Sequence, residues 1–539
     1  MKRRMSYLFL TLVLVIAITV EAYGVQKGNE VSVILPEFKV TLNGEEVNNS
    51  YSKYPLLVYK DITYFPMTYN DCRFLGLESY WRGNKEGLFI EATDVTAAYM
   101  PYKTSVQNKR YQTAVIPDFP ITVNGKSVDN QKEEYPLLSF RDITYFPMTW
   151  NFCFNEFGWG YSFDVKNGLV INSDNIRLLQ KNLPADRAKN GDGSLKNNVA
   201  VTSTFVYYED AKGQIIQAPL SNISNTKVVY QLPVWTYGDG KIPVSANLYA
   251  EDNQAFLAYN QGGATMGTEY LFRLNDDGTT TLLNNTRLII KKFGDIDIKY
   301  WAGPAPGPGE LFIKEEDDDE WHLLGNPNLL YGWAWKVSEN NSGGGSSRDV
   351  YLVDDDLYIL GFDFSVENTS TTGIYKVNIN TNETVRIGER EVTAFIIEGD
   401  YIYYASEGSI YRYSLLDCTE ELLEELSKAP NMIKKLIVLN GNIYWQDELN
   451  KKLYNLNGED LNPGAELDGM KLCGDNKEYL VCTFKETSDS KYRIMIFDNN
   501  GDVVFKTSDY TNLSNIYITE NMLYFYNITS GTVCIGELD

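Results

Sequence analysis

The side chains in this chain that could do chemistry are carboxylates, because most other catalytic groups are scarce. A single histidine, His322, excludes a histidine-based zinc or copper centre and any Ser-His-Asp triad. The six cysteines are scattered and form no CxxC pair, so no thiolate metal site is expected. The acids, in contrast, come in runs, the sharpest being Glu315-Glu316-Asp317-Asp318-Asp319-Glu320. A hard cation such as Ca²⁺ takes about six to eight oxygens, which makes Asp317, Asp318 and Asp319 the calcium candidates. The run lacks the alternating spacing and the glycine of an EF-hand loop. The plainer reading is a solvated turn between strands, with no metal and no cofactor. Asp354-Asp355-Asp356 reads the same way. Asp498-Asn499-Asn500-Gly501-Asp502 has part of a calcium loop, but an ordinary Asn-Gly hairpin accounts for it.

Two carboxylates facing one bond suffice for glycoside hydrolysis. Asp276-Asp277-Gly278-Thr279-Thr280 is similar to the turn of a sialidase Asp box, but it occurs once and lacks the serine and the closing aromatic. No arginine cluster for a substrate carboxylate accompanies it. No catalytic residue is assigned on these grounds. Aromatic side chains are the other candidates, since Tyr and Trp form sugar platforms and partner anchors. The chain has 39 tyrosines, and Trp235, Trp333, Trp335 and Trp445 fall in or near strand ends or loops. Packing between strands is the ordinary role of each. The formal charge of −24 argues against nucleic acid as a partner, because phosphate-backbone binding needs a cationic surface.

Elements must position these residues, and a duplication defines the first of them. Tyr54 to Cys72 (YPLLVYKDITYFPMTYNDC) returns as Tyr135 to Cys153 (YPLLSFRDITYFPMTWNFC). The unit runs over 31–94 and again over 113–174. In each copy a short strand ends at Asn-Gly (Asn43-Gly44, Asn124-Gly125), the pair suited to a tight turn. Extended Tyr-Pro-Leu-Leu and Asp-Ile-Thr-Tyr-Phe-Pro follow. Pro66 and Pro147 then stop the strand and suit the first turn of a helix carrying Met67, Asn70, Cys72 and Phe74, or Met148, Asn151 and Cys153. Gly87-Leu88-Phe89-Ile90 and Gly168-Leu169-Val170-Ile171 supply a final strand. Each copy is expected to be a small α+β unit of about 60 residues, near the lower size limit for independent stability. Cys72 and Cys153 are either joined, closing a loop of about 80 residues worth roughly 4 to 5 kcal/mol, or two separately buried thiols. The second is the expectation.

The order Val-Thr-Leu-Asn-Gly, Tyr-Pro-Leu-Leu, Asp-Ile-Thr-Tyr-Phe-Pro, helix, Gly-Leu-Phe-Ile resembles the copper amine oxidase N-terminal-like "stalk" domain of exported Gram-positive proteins. Met67-Thr68 and Met148-Thr149 stand where that family usually has an arginine, so the copies diverge from it. The resemblance implies neither copper nor oxidation, and neither copy contains histidine.

Residues 175–198, with Lys189-Asn190-Gly191-Asp192-Gly193-Ser194, read as a polar linker. From 199 to 539 a looser repeat of strand, turn and aromatic strand recurs, as in Tyr401-Ile402-Tyr403-Tyr404 with Ser409-Ile410-Tyr411-Arg412. Short strands with regular turn pairs indicate a β-propeller of seven or eight blades. Trp301 to Glu310 (WAGPAPGPGE) and Asn340 to Ser347 (NNSGGGSS) interrupt it, the second as an expected flexible loop. The region resembles the exported propellers of domain of unknown function 5050, related to YWTD propellers, with Val206-Tyr207-Tyr208 through Ala218-Pro219-Leu220 to Val228-Val229-Tyr230-Gln231 as the best match.

At the N-terminus Lys2, Arg3 and Arg4 precede an apolar stretch, Met5 to Val20, and a cleavage site after Ala22, so 1–22 reads as a signal peptide. The alternative is an uncleaved anchor. No transmembrane segment is expected after cleavage. The whole is therefore expected to be mainly β: two small α+β stalk-like repeats followed by the propeller. Its expected role is that of a secreted or cell-envelope-associated, non-catalytic protein binding a protein or a cell-wall glycan. The alternative is a glycan-active hydrolase using carboxylates in the propeller channel.

Overall fold

The computed structural model describes residues 29–538 except 238–239, 263–266, 287, 302–308, 316–317, 319, 339–340, 347–348, 367–370, 427–432, 448–450, 463–464 and 487–491. The leader-like segment and its cleavage site lie outside the described residues. The fold is mainly β. The chain divides into two compact units, 1–175 and 176–539. Among the described residues no helix is long and apolar enough to cross a membrane.

In the first unit the strands are β1 (Glu30–Ile34), β2 (Val40–Leu42), β3 (Glu45–Glu46), β4 (Leu57–Tyr59), β5 (Ile62–Pro66), β6 (Gly76–Trp81) and β7 (Leu88–Val95) in the first copy. The second copy supplies β8 (Tyr111–Val115), β9 (Ile121–Val123), β10 (Lys126–Ser127), β11 (Leu138–Phe140), β12 (Ile143–Pro147), β13 (Gly160–Asp164) and β14 (Gly168–Asn172). The two copies do not fold as separate units. A closed barrel runs β1-β4-β5-β12-β11-β8, three strands from each copy. Phe65 sits opposite Phe146 and Ser32 opposite Thr113, so equivalent residues face each other across a pseudo-two-fold axis. The remaining strands are exchanged. β2 of the first copy pairs in parallel with β14 of the second, and β9 of the second with β7 of the first. Each outer sheet is half one copy and half the other, which answers the size limit on a lone 60-residue unit.

The exchange explains the motif residues. Gly87 and Gly168 have positive φ, and a Cβ there would overlap the carbonyl of Pro120 or Lys39 in the other copy. Leu88 and Leu169 donate their N–H to those same carbonyls at 3.0 and 2.8 Å. Asn43 and Asn124 take positive φ before Gly44 and Gly125. The Asn43 amide bonds Ser173 Oγ at 2.8 Å, and Asn124 Nδ2 donates to the Glu156 carbonyl at 2.7 Å. The repeated segment is thus a packing signature. Phe65, Phe146, Cys72, Cys153 and Trp159 share one core.

Two expectations need correction here. Pro66 and Pro147 do not open a helix. They do end the strand, as expected, Pro66 opposite Tyr145 and Pro147 opposite Tyr64 in the barrel. The first helix spans Tyr69–Phe74 and is capped by Thr68, whose Oγ1 accepts from Asp71 N at 3.0 Å. The second differs: Asn151–Glu156 is a π-helical turn. One more residue separates Cys153 from Gly158 than Cys72 from Gly76. The wider turn absorbs it, with Phe157 N donating to Phe152 O at 3.0 Å.

Among its described residues the second unit holds eight successive sheets of three to five strands, over 199–231, 246–284, 288–323, 329–387, 394–425, 433–455, 465–507 and 516–537, and two two-stranded hairpins, Val234–Tyr237 with Gly240–Pro243 and Trp333–Ser338 with Asn341–Ser346. First strands of neighbouring sheets touch, as Ala394–Glu398 does Ile433–Leu439 and that strand does Ala465–Cys473, which puts first strands innermost. This is propeller architecture. The expected linker, 175–198, contains β15 (Leu179–Asn182), which pairs antiparallel with Thr532–Glu537 as the outermost strand of the last sheet. Residues from the start of the unit therefore close the ring at its end. The expected loop at Asn340 to Ser347 is also corrected: Asn341–Ser346 is a strand paired with Trp333–Ser338. Its glycines still offer backbone donors and acceptors, and the Trp333 strand supplies the partner ladder.

Candidate functional site

The acids of these runs that lie among the described residues serve local structure. Asp317 and Asp319 lie outside the described residues. Asp318 Oδ2 sits 3.3 Å from His322 Nε2, with both side chains about half exposed (45% and 59%). Among the described residues no group of three or more His, Cys, Asp or Glu side chains is placed to hold a metal. Asp354 has positive φ in a hairpin turn, and Asp356 meets Lys376 Nζ at 3.1 Å. Asp498 Oδ1 accepts from the N–H of Asn500 and of Asp502, both at 2.9 Å, so this segment caps its own turn. Asp277 Oδ1 does the same for Thr279 N at 2.8 Å. These oxygens already have donors, and the backbone geometry they satisfy is that of hairpins.

The aromatics and thiols are mostly structural. Burial pushes the Tyr207 and Tyr208 hydroxyls up to about 12, so both stay neutral. Trp445 is buried and stacks on Tyr454 with centroids 4.5 Å apart. The side chains of Trp333 and Trp335 lie outside the described residues. Cys72 and Cys153 are free, buried thiols, each next to a methionine of its own copy (Met67 Sδ at 3.6 Å, Met148 Sδ at 3.8 Å). Burial raises both to about 12, which makes them inert.

Three lysines behave differently. Lys291, on the innermost strand Leu288–Phe293, donates from Nζ to Val350 O at 2.9 Å on the innermost strand of the next sheet. Lys435, on Ile433–Leu439, donates to Met470 O at 2.7 Å, again one sheet on. Lys471, on Ala465–Cys473, donates to Ile516 O at 2.7 Å, one sheet further. Strand register fixes where two of those carbonyls point. Val353 pairs with Asp356, and Thr519 with Met522, across two-residue turns. Alternation then makes Val350↔Ile359 and Ile516↔Phe525 non-hydrogen-bonded pairs. Their carbonyls face away from the second strand, toward the propeller axis, and the ammonium groups bonded to them lie on the channel side.

The charge environment agrees. Burial holds Lys291 and Lys435 below the ordinary lysine range, and the Asp349 carboxylate opposes that shift in both. Lys471 is close enough to Lys435 to disfavour its charge. Asp349 precedes Val350 at the foot of an inserted hairpin. The innermost strand of that sheet comes in two pieces, Leu329–Tyr331 against Gly361–Asp363 and Val350–Val353 against Asp356–Ile359. The hairpin Trp333–Ser338/Asn341–Ser346 leaves from the break between them, on the channel edge. Lys291, bonded to Val350 O, and Asp349 therefore lie at the base of this hairpin.

Sequence reasoning did not find these lysines. Each lies beside apolar residues on an innermost strand, two of them in Lys-Lys pairs (Lys291-Lys292, Lys434-Lys435), and that context was the available signal. A lysine on a buried strand is unusual unless its ammonium has a specific place to go.

No protein-family model matches the chain, and a search of curated proteins finds no match. Solved structures similar to it include the computationally designed Ika8 protein (12% identity, TM-score 0.39, 67% of this chain and 100% of that one). BamB from Moraxella catarrhalis is 13% identical with TM-score 0.35 over 68% of this chain and 98% of that one. AztD from Citrobacter koseri is 11% identical with TM-score 0.35 over 63% and 96%.

Proposed function

We propose that this chain is an exported, non-catalytic binding or scaffold protein of the cell envelope, in which the duplicated unit is a spacer or docking element and the propeller carries the ligand surface. The single observation behind this reading is on the inner strands: Lys291, Lys435 and Lys471 are engaged there by carbonyls of the next sheet, with a hairpin emitted from an innermost strand. On this reading the leader-like N-terminus directs export. The duplicated unit is a divergent tandem of copper amine oxidase N-terminal-like stalk domains without copper, and the propeller is of the 5050/YWTD kind. The partner is a protein or a cell-wall glycan. The test is co-sedimentation of purified full-length protein with cell-wall and polysaccharide fractions, with products followed in the same tubes. Saturable retention without new products supports the reading. Release of glycan fragments overturns it in favour of a propeller hydrolase.

A further inference from the structure

We propose that a cavity in the duplicated unit is the docking site of the chain's own residues 24–28, with Lys27 as the cation it receives. The cavity measures about 390 Å³ and is walled by Asn29, Lys60, Asp118, Gln131, Glu133 and Glu134 among others. The described residues begin at Asn29, on that wall, and Gly24-Val25-Gln26-Lys27-Gly28 precede it in the sequence. Those five lie outside the described residues. The other copy shows what fills the equivalent place. Passing from one copy to the other shifts numbers by 81, as from Tyr54 to Tyr135. Lys60 then corresponds to Arg141, Asn130 to Asn49, Gln131 to Ser50 and Glu133 to Ser52. Asn108 occupies the space between these counterparts. Its backbone N–H donates to Ser50 O at 2.8 Å, and its Nδ2 donates to Asn49 O at 2.9 Å and Ser52 O at 2.7 Å. Arg141 Nη2 donates to Asn108 Oδ1 at 2.8 Å. The lead-in to β8 reaches this point along the first copy, with Thr104 N donating to Tyr51 O at 2.9 Å.

The counterpart of Asn108 is Lys27, and Ser105-Val106-Gln107 corresponds to Gly24-Val25-Gln26. Both lead-ins enter the barrel alike: Arg110 O accepts from Leu35 N and Asn29 O accepts from Ile116 N, each at 2.9 Å. The change from asparagine to lysine is matched by the wall. Where the first copy has Glu37, Ser52 and Lys53, the cavity has Asp118, Glu133 and Glu134. Lys60 is the cation of that wall, and its Nζ donates to Glu134 O at 3.4 Å. Three carboxylates and one ammonium leave two negative charges in excess. A lysine ammonium brings three N–H donors. They suffice for the Asn130 and Glu133 carbonyls, the counterparts of those Asn108 engages, and for one carboxylate. The Lys27 backbone N–H then has Gln131 O as its acceptor. Each copy thereby holds the lead-in of the other, as the outer sheets already exchange β2 and β9.

The test is carbodiimide cross-linking of the full-length protein, read by peptide mass spectrometry. The reagent condenses an amine and a carboxylate in contact into an amide, and takes up the released water to become a urea. Lys126 and Glu156, 3.0 Å apart, are the internal control. The expected product joins Lys27 to Glu133, Glu134 or Asp118 within one molecule. A mixture of isotope-labelled and unlabelled protein tells a link within one chain from a link between two. Hydrogen exchange gives a second readout on the same protein. The Lys27 amide should be protected in wild type, and K27E should speed its exchange about two- to tenfold, the range of a solvent-accessible ion pair. Adding E133K to K27E restores the opposite charges and should restore the protection. Circular dichroism and melting temperature verify that both variants are folded. Three results would each overturn the proposal: no Lys27 link to those carboxylates while the Lys126–Glu156 link forms, Lys27 links only between chains, or an unprotected Lys27 amide in wild type.

Discussion

Closure of the propeller by β15 makes a quantitative prediction. β15 and Thr532–Glu537 share four residue pairs, from Leu179↔Ile535 to Asn182↔Thr532. On an antiparallel strand, adjacent residues alternate in pointing N–H toward and away from the partner. Replacing both Gln180 and Lys181 with proline therefore removes one ladder donor whichever residue carries it, and the rings obstruct the rest. Each ladder bond contributes about 0.5–1.5 kcal/mol net, so detaching this strand costs roughly 2–4 kcal/mol locally. Hydrogen exchange followed by mass spectrometry reads this directly. Amides of Thr532–Glu537 should exchange about 30- to 1000-fold faster in Q180P/K181P than in wild type, while the sheet at 394–425 changes little. Val533 and Cys534 are fully buried in the wild type, so their baseline protection is high. Unchanged exchange in Thr532–Glu537 would refute ring closure by β15 and restore 175–198 as a linker.

Two further predictions concern the first unit. Gly87→Ala should destabilise it by more than about 3 kcal/mol in chemical denaturation, because a left-handed φ and a collision with the Pro120 backbone add; Gly44→Ala, with equally positive φ but open space around it, should cost only about 1 kcal/mol. Equal costs would contradict the strand exchange. Burial raises the Asp71 carboxyl from 3.8 to about 6, against the lowering effect of its Thr68 hydrogen bond. A raised carboxyl favours the folded state most below pH 4 and loses that contribution as pH rises through 6, a swing of up to about 3 kcal/mol. Asp71→Asn should flatten the dependence of the urea midpoint on pH between 4 and 6, and an unchanged slope would exclude this group as its source.

Much of the architecture is legible in the residues. The two Asn-Gly pairs, the Gly-Leu-Phe-Ile and Gly-Leu-Val-Ile strands and the repeated Ile-Thr-Tyr-Phe-Pro all form the elements their local chemistry favours. What is not legible is partnership. β14 presents the same residues to β2 as it would to a strand of its own copy, so an exchange between equivalent copies leaves no local trace. β15 is four residues beside a polar run, and its partner lies at the other end of the chain. The π-helical turn was written in the spacing from Cys153 to Gly158, but a single added residue becomes meaningful only when the first copy fixes the ends. The candidate site was hidden for a related reason. Acidic runs attract attention as sites, yet Asp277 and Asp498 satisfy their own turns. Lys291, Lys435 and Lys471 come from three different sheets, and each bonds a carbonyl of the next sheet in the ring, a partnership that no local pattern announces.

The proposed function is that this propeller binds and does not catalyse. The most direct measurement is a time course in which purified full-length protein is held with cell-wall and polysaccharide fractions, and bound protein and released sugar are quantified together. The account predicts that bound protein reaches a plateau while soluble reducing ends stay at the level of the protein-free control. Reducing ends that keep rising in proportion to protein would contradict it.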